Sequence, residues 1–107
     1  MSDFIQVVTT VPTKDEGMSL GRMLVGQRLV ACMQIAGPVT SVYRWQGKIE
    51  EATEYTVTLK TRASLFAKIV EMVEGLHSYD VPEIIGTPLG DCSGRYLQWL
   101  EGELQDV

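Results

Sequence analysis

Residues that commonly carry catalysis or bind metals are few in this sequence: one histidine, His77, and two cysteines, Cys32 and Cys92. His77 has the imidazole that acid–base chemistry or metal ligation requires. The cysteines form no CxxC pair or zinc-type cluster, so two free thiols of a reducing compartment are expected. No HExxH, phosphate loop, GxGxxG or GxSxG accompanies them. The sequence therefore predicts a protein that is not an enzyme and requires no cofactor.

Two candidate metal ligands have competing interpretations. His77 is a candidate ligand or acid–base group, but its place after an apolar helix favours a cap on that helix. Cys32 is a candidate copper thiolate, but its apolar neighbours favour an inert, buried cysteine. Cys92 lies in the loop 90–94 and is expected to be exposed.

A second group of residues is typical of a ligand cleft: Tyr43, Trp45, Lys60, Tyr79 and Glu83. Lys60 would supply a fixed cation for an anionic ligand if assembly brings it near Glu83 or Tyr79. Packing between subunits is the favoured interpretation of the aromatic residues, among them Trp99, since Tyr and Trp are enriched at interfaces.

Length and composition predict one domain over residues 1–107. Of these residues 45% are hydrophobic and 21% charged, and the net charge is −5. The acidic balance opposes nucleic-acid binding and attachment to anionic membranes. The longest apolar runs have only four or five residues, too few to span a bilayer. The N-terminus lacks a basic segment followed by an apolar one, so we expect a cytoplasmic protein.

The first half of the chain predicts a strand, a helix and half of a long hairpin. The segment Phe4–Val11 is β-branched, and Thr13 and Glu16 have capping-box spacing before a helix over 14–28. A strand follows over 29–45, with a break at the Gly-Pro pair 37–38. The pair 46–47 is a plausible tight turn, and Tyr43 and Trp45, two residues apart, share one face.

The second half returns along a strand in which Tyr55, Val57 and Leu59 share one face. An amphipathic helix follows, with Leu65, Ile69, Met72, Val73 and Leu76 at helical spacing. A short strand opening at residue 84 precedes a last helix capped by Ser93. The order βαββαβ plus a C-terminal helix predicts an α+β, ferredoxin-like split βαβ fold, with two helices on one face of an antiparallel sheet.

The hairpin is too long for one subunit. Its arms of about 15 residues would span roughly 50 Å, whereas a domain of this length is about 35 Å across. The hairpin must either bend at the Gly-Pro pair or extend beyond the domain, where apolar side chains would be exposed. We therefore predict a homo-oligomer.

Several segments together resemble the CutA divalent-cation tolerance family: Leu29–Met33, Gly37–Glu51, Leu59–Arg62, His77–Ile85 and Tyr96–Leu100. The resemblance implies a homotrimer whose hairpins pair between subunits, and a role in tolerance of divalent metals, chiefly copper. Copper-associated members have a cysteine where this chain has Thr9, and adjacent histidines where it has Leu76 and His77. One imidazole is a weak copper site by itself.

Three function hypotheses follow from these observations. The first is a non-enzymatic trimer associated with tolerance or binding of divalent ions such as copper. The second is a trimeric ligand-sensing module like the PII-type signalling proteins, by analogy of fold. The third is a scaffolding trimer whose partner is another protein.

Overall fold

The computed structural model describes residues 3–106. Its elements are β1 (Phe4–Val11), α1 (Lys14–Gly26), β2 (Cys32–Trp45), β3 (Lys48–Arg62), α2 (Phe66–Leu76), β4 (Ile85–Pro88) and α3 (Gly94–Glu103), with a short 3-10 turn before α2. The strands form one antiparallel sheet in the order β2-β3-β1-β4. This is the ferredoxin-like α+β arrangement that the element order predicted.

The core lies between the sheet and α1 with α2. Alternate residues of β1 and β3 point toward these helices, and Val7, Val11, Val57 and Leu59 are fully buried there. Thr9 is buried on the same face. The side chains that alternate with these core residues therefore point to the opposite face of the sheet.

The N-terminus of α1 has half of the predicted capping box. The Oγ1 of Thr13 accepts a hydrogen bond from the backbone N–H of Glu16 over 3.1 Å. The Glu16 carboxylate instead accepts from the backbone N–H and the hydroxyl of Ser78, over 3.2 and 2.9 Å. The reciprocal bond of the box is replaced by a link to the loop after α2, because that loop offers two donors.

The end of α1 and the start of β2 differ from the prediction. The helix ends at Gly26 rather than residue 28, and Arg28 has a φ of 60° that reverses the chain. The backbone N–H of Leu29 bonds to the carbonyl of Leu24. Residues 27–28 therefore form the turn, residues 29–31 lead into the sheet, and the strand begins at Cys32.

The side chain of Arg28 also binds the C-terminus of α3. The guanidinium donates from Nε to the carbonyl of Glu103 over 3.0 Å and from Nη2 to that of Gly102 over 2.8 Å. These carbonyls have no partners within the helix, so a cationic donor stabilises them. At the other end of α3, the Ser93 hydroxyl accepts from the N–H of Tyr96, as the predicted cap requires.

The outer half of the β2–β3 hairpin extends beyond the core. Gln46 and Gly47 form its turn with φ values of 51° and 81°, and the register shifts between Ala36 and Val39 as predicted for the Gly-Pro break. Among the described residues, the buried apolar core includes none from 32–56. The chain is 44 Å long against widths of 25 and 22 Å, so the hairpin overhangs the domain.

Candidate functional site

A cleft of about 400 Å³ lies on the sheet face opposite α1, where the hairpin meets the loop that follows α2. Its lining residues are Thr10, Tyr43, Trp45, Glu54, Ser78, Tyr79, Asp80, Val81 and Glu83. The register places Tyr43 opposite Glu50 and Trp45 opposite Lys48, on the same face as Glu54. The strands therefore supply one wall, and the loop 78–83 supplies the other.

Glu54 is the buried acid of this cleft, with 6% of its surface exposed. Its Oε2 accepts a hydrogen bond of 2.7 Å from the Tyr79 hydroxyl. Burial by itself raises the pKa of the carboxyl. Hydrogen bonds from the Ser41, Tyr79 and Thr10 side chains outweigh it and bring the pKa below its ordinary value of 4.5. Glu54 is therefore ionised at neutral pH.

Tyr79 is held at three points. Its backbone N–H donates to Nδ1 of His77 over 2.9 Å, its hydroxyl donates to Glu54, and its ring centroid lies 4.8 Å from that of His77. Burial, followed by the hydrogen bond to Glu54 and its charge, raises the pKa of the phenol well above 10.0. The hydroxyl is thus a fixed neutral donor in the wall of the cleft.

Both ring nitrogens of His77 are engaged by the backbone. Nε2 lies 2.6 Å from the carbonyl oxygen of Thr10 and must carry the proton, while Nδ1 accepts from Tyr79. The side chain is fully buried, and the carboxylate of Glu16 lies 3.6 Å from Nδ1. Since Nδ1 already accepts a hydrogen bond, neither nitrogen offers a free lone pair to a metal. The residue occupies the C-cap position of α2, where its backbone N–H bonds to the carbonyl of Val73, but its imidazole bonds to Thr10 and Tyr79 instead of the helix end.

Cys32 does not join His77 in a common site. It is half-buried rather than fully buried, and its Sγ lies 3.7 Å from the hydroxyl of Tyr96 on α3. Burial, and then this contact, raises the pKa of the Tyr96 phenol to about 12. Within residues 3–106 no group of three or more His, Cys, Asp or Glu side chains is placed to hold a metal ion. The residues present therefore do not fit a copper site, and metal ligation by His77 and Cys32 stays a prediction that their contacts oppose.

Of the five predicted cleft residues, four line the cleft: Tyr43, Trp45, Tyr79 and Glu83. Lys60 does not. It lies six residues along β3 from Glu54, about 20 Å of strand, and its Nζ donates to Oε1 of Gln34 over 2.9 Å. Within one chain Lys60 therefore does not line the cleft, and its approach to Glu83 or Tyr79 on assembly stays a prediction. Trp99 lies on α3 and is exposed, as is Cys92.

The sequence interpretation missed Glu54 and Asp80. Glu54 alternates with the core residues of β3, and a charged residue on that phase of a strand usually faces water. Its burial comes from the loop 78–83, which folds over the strand from a distant part of the chain. No signal within the strand indicates that cover.

Comparison with known proteins places these features in a family. The family model described as "CutA1 divalent ion tolerance protein" matches residues 5–103. A Thermus thermophilus protein named divalent-cation tolerance protein CutA is 40% identical over 94 residues, which cover 88% of this chain and 91% of that protein. The chain belongs to the CutA1 divalent ion tolerance protein family.

Relatives in this CutA1 family extend to plants. An Arabidopsis thaliana protein named Protein CutA, chloroplastic, is 38% identical over 102 residues, or 95% of this chain, which spans only 56% of that relative. The crystal structure of CutA1 from Oryza sativa has a TM-score of 0.95 at 36% identity, covering 99% of this chain and 97% of that one. In the described part of this CutA1-family chain, no helix is both long and apolar enough to cross a membrane.

Proposed function

We propose that this chain acts in divalent-ion tolerance as a non-enzymatic homotrimer. The overhanging hairpin carries the proposal: Val42 and Ile49 near its tip are 63% and 70% exposed. Exposed apolar side chains on an overhanging hairpin favour association. The sheet order leaves β2 and β4 as edges, so hairpins of neighbouring copies have free strands to pair with.

The absence of catalysis and the cytoplasmic location belong to the same proposal. Proton transfer by His77 would break one of its two backbone hydrogen bonds, which supports a role other than catalysis. Cys32 and Cys92 are both free thiols, as is usual in a reducing compartment.

Light scattering coupled to size exclusion tests the assembly. We expect a mass about three times the 11.9 kDa of one chain. The pair Val42→Ser and Ile49→Ser is expected to shift the mass toward the monomer at micromolar concentration. Val25→Ser, which alters an exposed residue of α1, is the control and should leave the mass unchanged. A monomeric native chain, or a pair variant that assembles like the native chain, would contradict the proposal.

A second role, binding of a small ligand as in a sensing module, is favoured by the cleft. Its volume of about 400 Å³ is within the range of small-molecule sites. Thermal-shift screening of the native chain against metabolites tests the role. A stabilising ligand supports it, and no shift at millimolar concentrations would count against it.

A further inference from the structure

The cleft beside Glu54 combines aromatic rings with carboxylates. The rings are those of Tyr43, Trp45 and Tyr79, and the carboxylates are those of Glu54, Asp80 and Glu83. Among the described residues that line it, there is no Lys, Arg or His. Aromatic faces and carboxylates both attract positive charge. The cleft therefore has the charge pattern opposite to the anion site that Lys60 suggested.

Glu54 is a buried acid that forms no ion pair with a Lys or Arg side chain of the described residues. The side chains that hydrogen bond to it are the hydroxyls of Tyr79, Ser41 and Thr10. These hydroxyls hold the carboxylate in place at the wall of the cleft. A cation in the cleft would pair with this fixed negative charge.

The aromatic walls are positioned and accessible. Tyr79 is fixed by its backbone, ring and hydroxyl, so its ring needs no ordering when a ligand binds. In the single chain Tyr43 and Trp45 are 44% and 41% exposed and leave ring surface free. Ring faces attract alkylammonium groups, which carry positive charge on an apolar body.

We propose that this cleft binds a small organic cation, with its ammonium group beside Glu54 and its carbon atoms against the rings of Trp45 and Tyr43. The inference rests on the small-ligand role proposed above and names the class of ligand. A bare metal ion fits less well, since the described residues include no three-ligand cluster and ring faces are not metal ligands of proteins.

Calorimetric titration of choline into the full chain tests the proposal. The matched probe is the neutral isostere of choline, in which a tert-butyl group replaces the trimethylammonium. We expect saturable binding of choline and affinity at least about tenfold lower for the isostere, because only the charge differs. Equal affinities, or no choline binding below about 10 mM, would overturn the proposal.

Two variants locate the site. Glu54→Gln removes the charge at nearly constant shape and is expected to weaken choline binding about tenfold or more. Glu51→Gln alters an exposed acid of the same strand and should bind like the native chain. Trp45→Leu, on the exposed hairpin, should also weaken binding about tenfold whether or not Glu54→Gln folds. Native affinity in Trp45→Leu, or in a folded Glu54→Gln, would overturn the proposal.

Light scattering on the same samples separates the two proposals. A trimer that binds choline no better than its isostere overturns the organic-cation site and leaves the assembly intact. Choline binding by a monomer supports the site and overturns the trimer.

Discussion

The imidazole of His77 links the end of α2 to the end of β1: its Nε2–H donates to the carbonyl oxygen of Thr10 over 2.6 Å. The opposite nitrogen accepts from the N–H of Tyr79, which in turn donates its hydroxyl to Glu54. The one histidine of the chain thus aligns a wall of the cleft instead of presenting a free ligand.

Replacing His77 should lower stability more than it alters metal binding. His77→Ala leaves the Thr10 carbonyl and the Tyr79 N–H without their partner, so we expect the free energy of unfolding to fall by about 1–3 kcal/mol. Urea denaturation at fixed protein concentration measures the change. Calorimetric titration with copper should give similar affinities for the native chain and the variant. A large loss of copper affinity without loss of stability would instead identify His77 as a ligand.

Acid should destabilise the protein through Glu54. Its pKa is lower in the folded chain than its ordinary 4.5, so the folded state favours the ionised form. The stabilisation is present above pH 4.5 and is lost as the pH falls through the folded pKa. Glu54→Gln should therefore flatten the acid limb of the stability profile, while Glu51→Gln retains it. Identical acid limbs in the native chain and Glu54→Gln would contradict this assignment.

Two glycines of α1 should respond oppositely to alanine. A Cβ on Gly17 would lie 2.5 Å from Cδ1 of Ile35 and 3.0 Å from Cγ2 of Val11, whereas a Cβ on Gly26 would meet nothing within 4 Å. Gly17→Ala should cost about 1–3 kcal/mol through overpacking. Gly26→Ala should gain about 0.5–1 kcal/mol from helix propensity. Thermal melts of both variants measure the contrast, and equal shifts would refute it.

Removing the Arg28 side chain should loosen α3. Arg28→Ala deletes the donors to the carbonyls of Glu103 and Gly102, and we expect a loss of about 1–3 kcal/mol. Hydrogen exchange should show faster opening of α3 than of β1. Arg22→Ala, at an exposed position of α1, is the matched control. Unchanged exchange in Arg28→Ala would show that the contact contributes little.

Most of the fold could be predicted because its signals are local. The alternation in β3 and the 3.6-residue spacing in α2 each arise from neighbouring residues. The errors fall at junctions, where tertiary contacts compete. Glu16 leaves the capping box for Ser78, and Leu29 closes a helix rather than starting a strand.

The candidate site could be predicted only in part. Tyr43 and Trp45 share a face because they are two residues apart in a strand, and their types suggested a cleft. The position of the Lys60 ammonium group could not be predicted from its strand, because its Nζ donates a hydrogen bond to Gln34 on the neighbouring strand.

The sequence by itself determined the order of elements, the free thiols and the long hairpin, since these depend on composition, spacing and length. Only the tertiary structure decided that Glu54 is buried and that both nitrogens of His77 are engaged. Strand periodicity assigns a side chain to a face, but what covers that face comes from a distant segment. In this chain the loop 78–83 covers Glu54 and adds the carboxylates of Asp80 and Glu83 to the cleft.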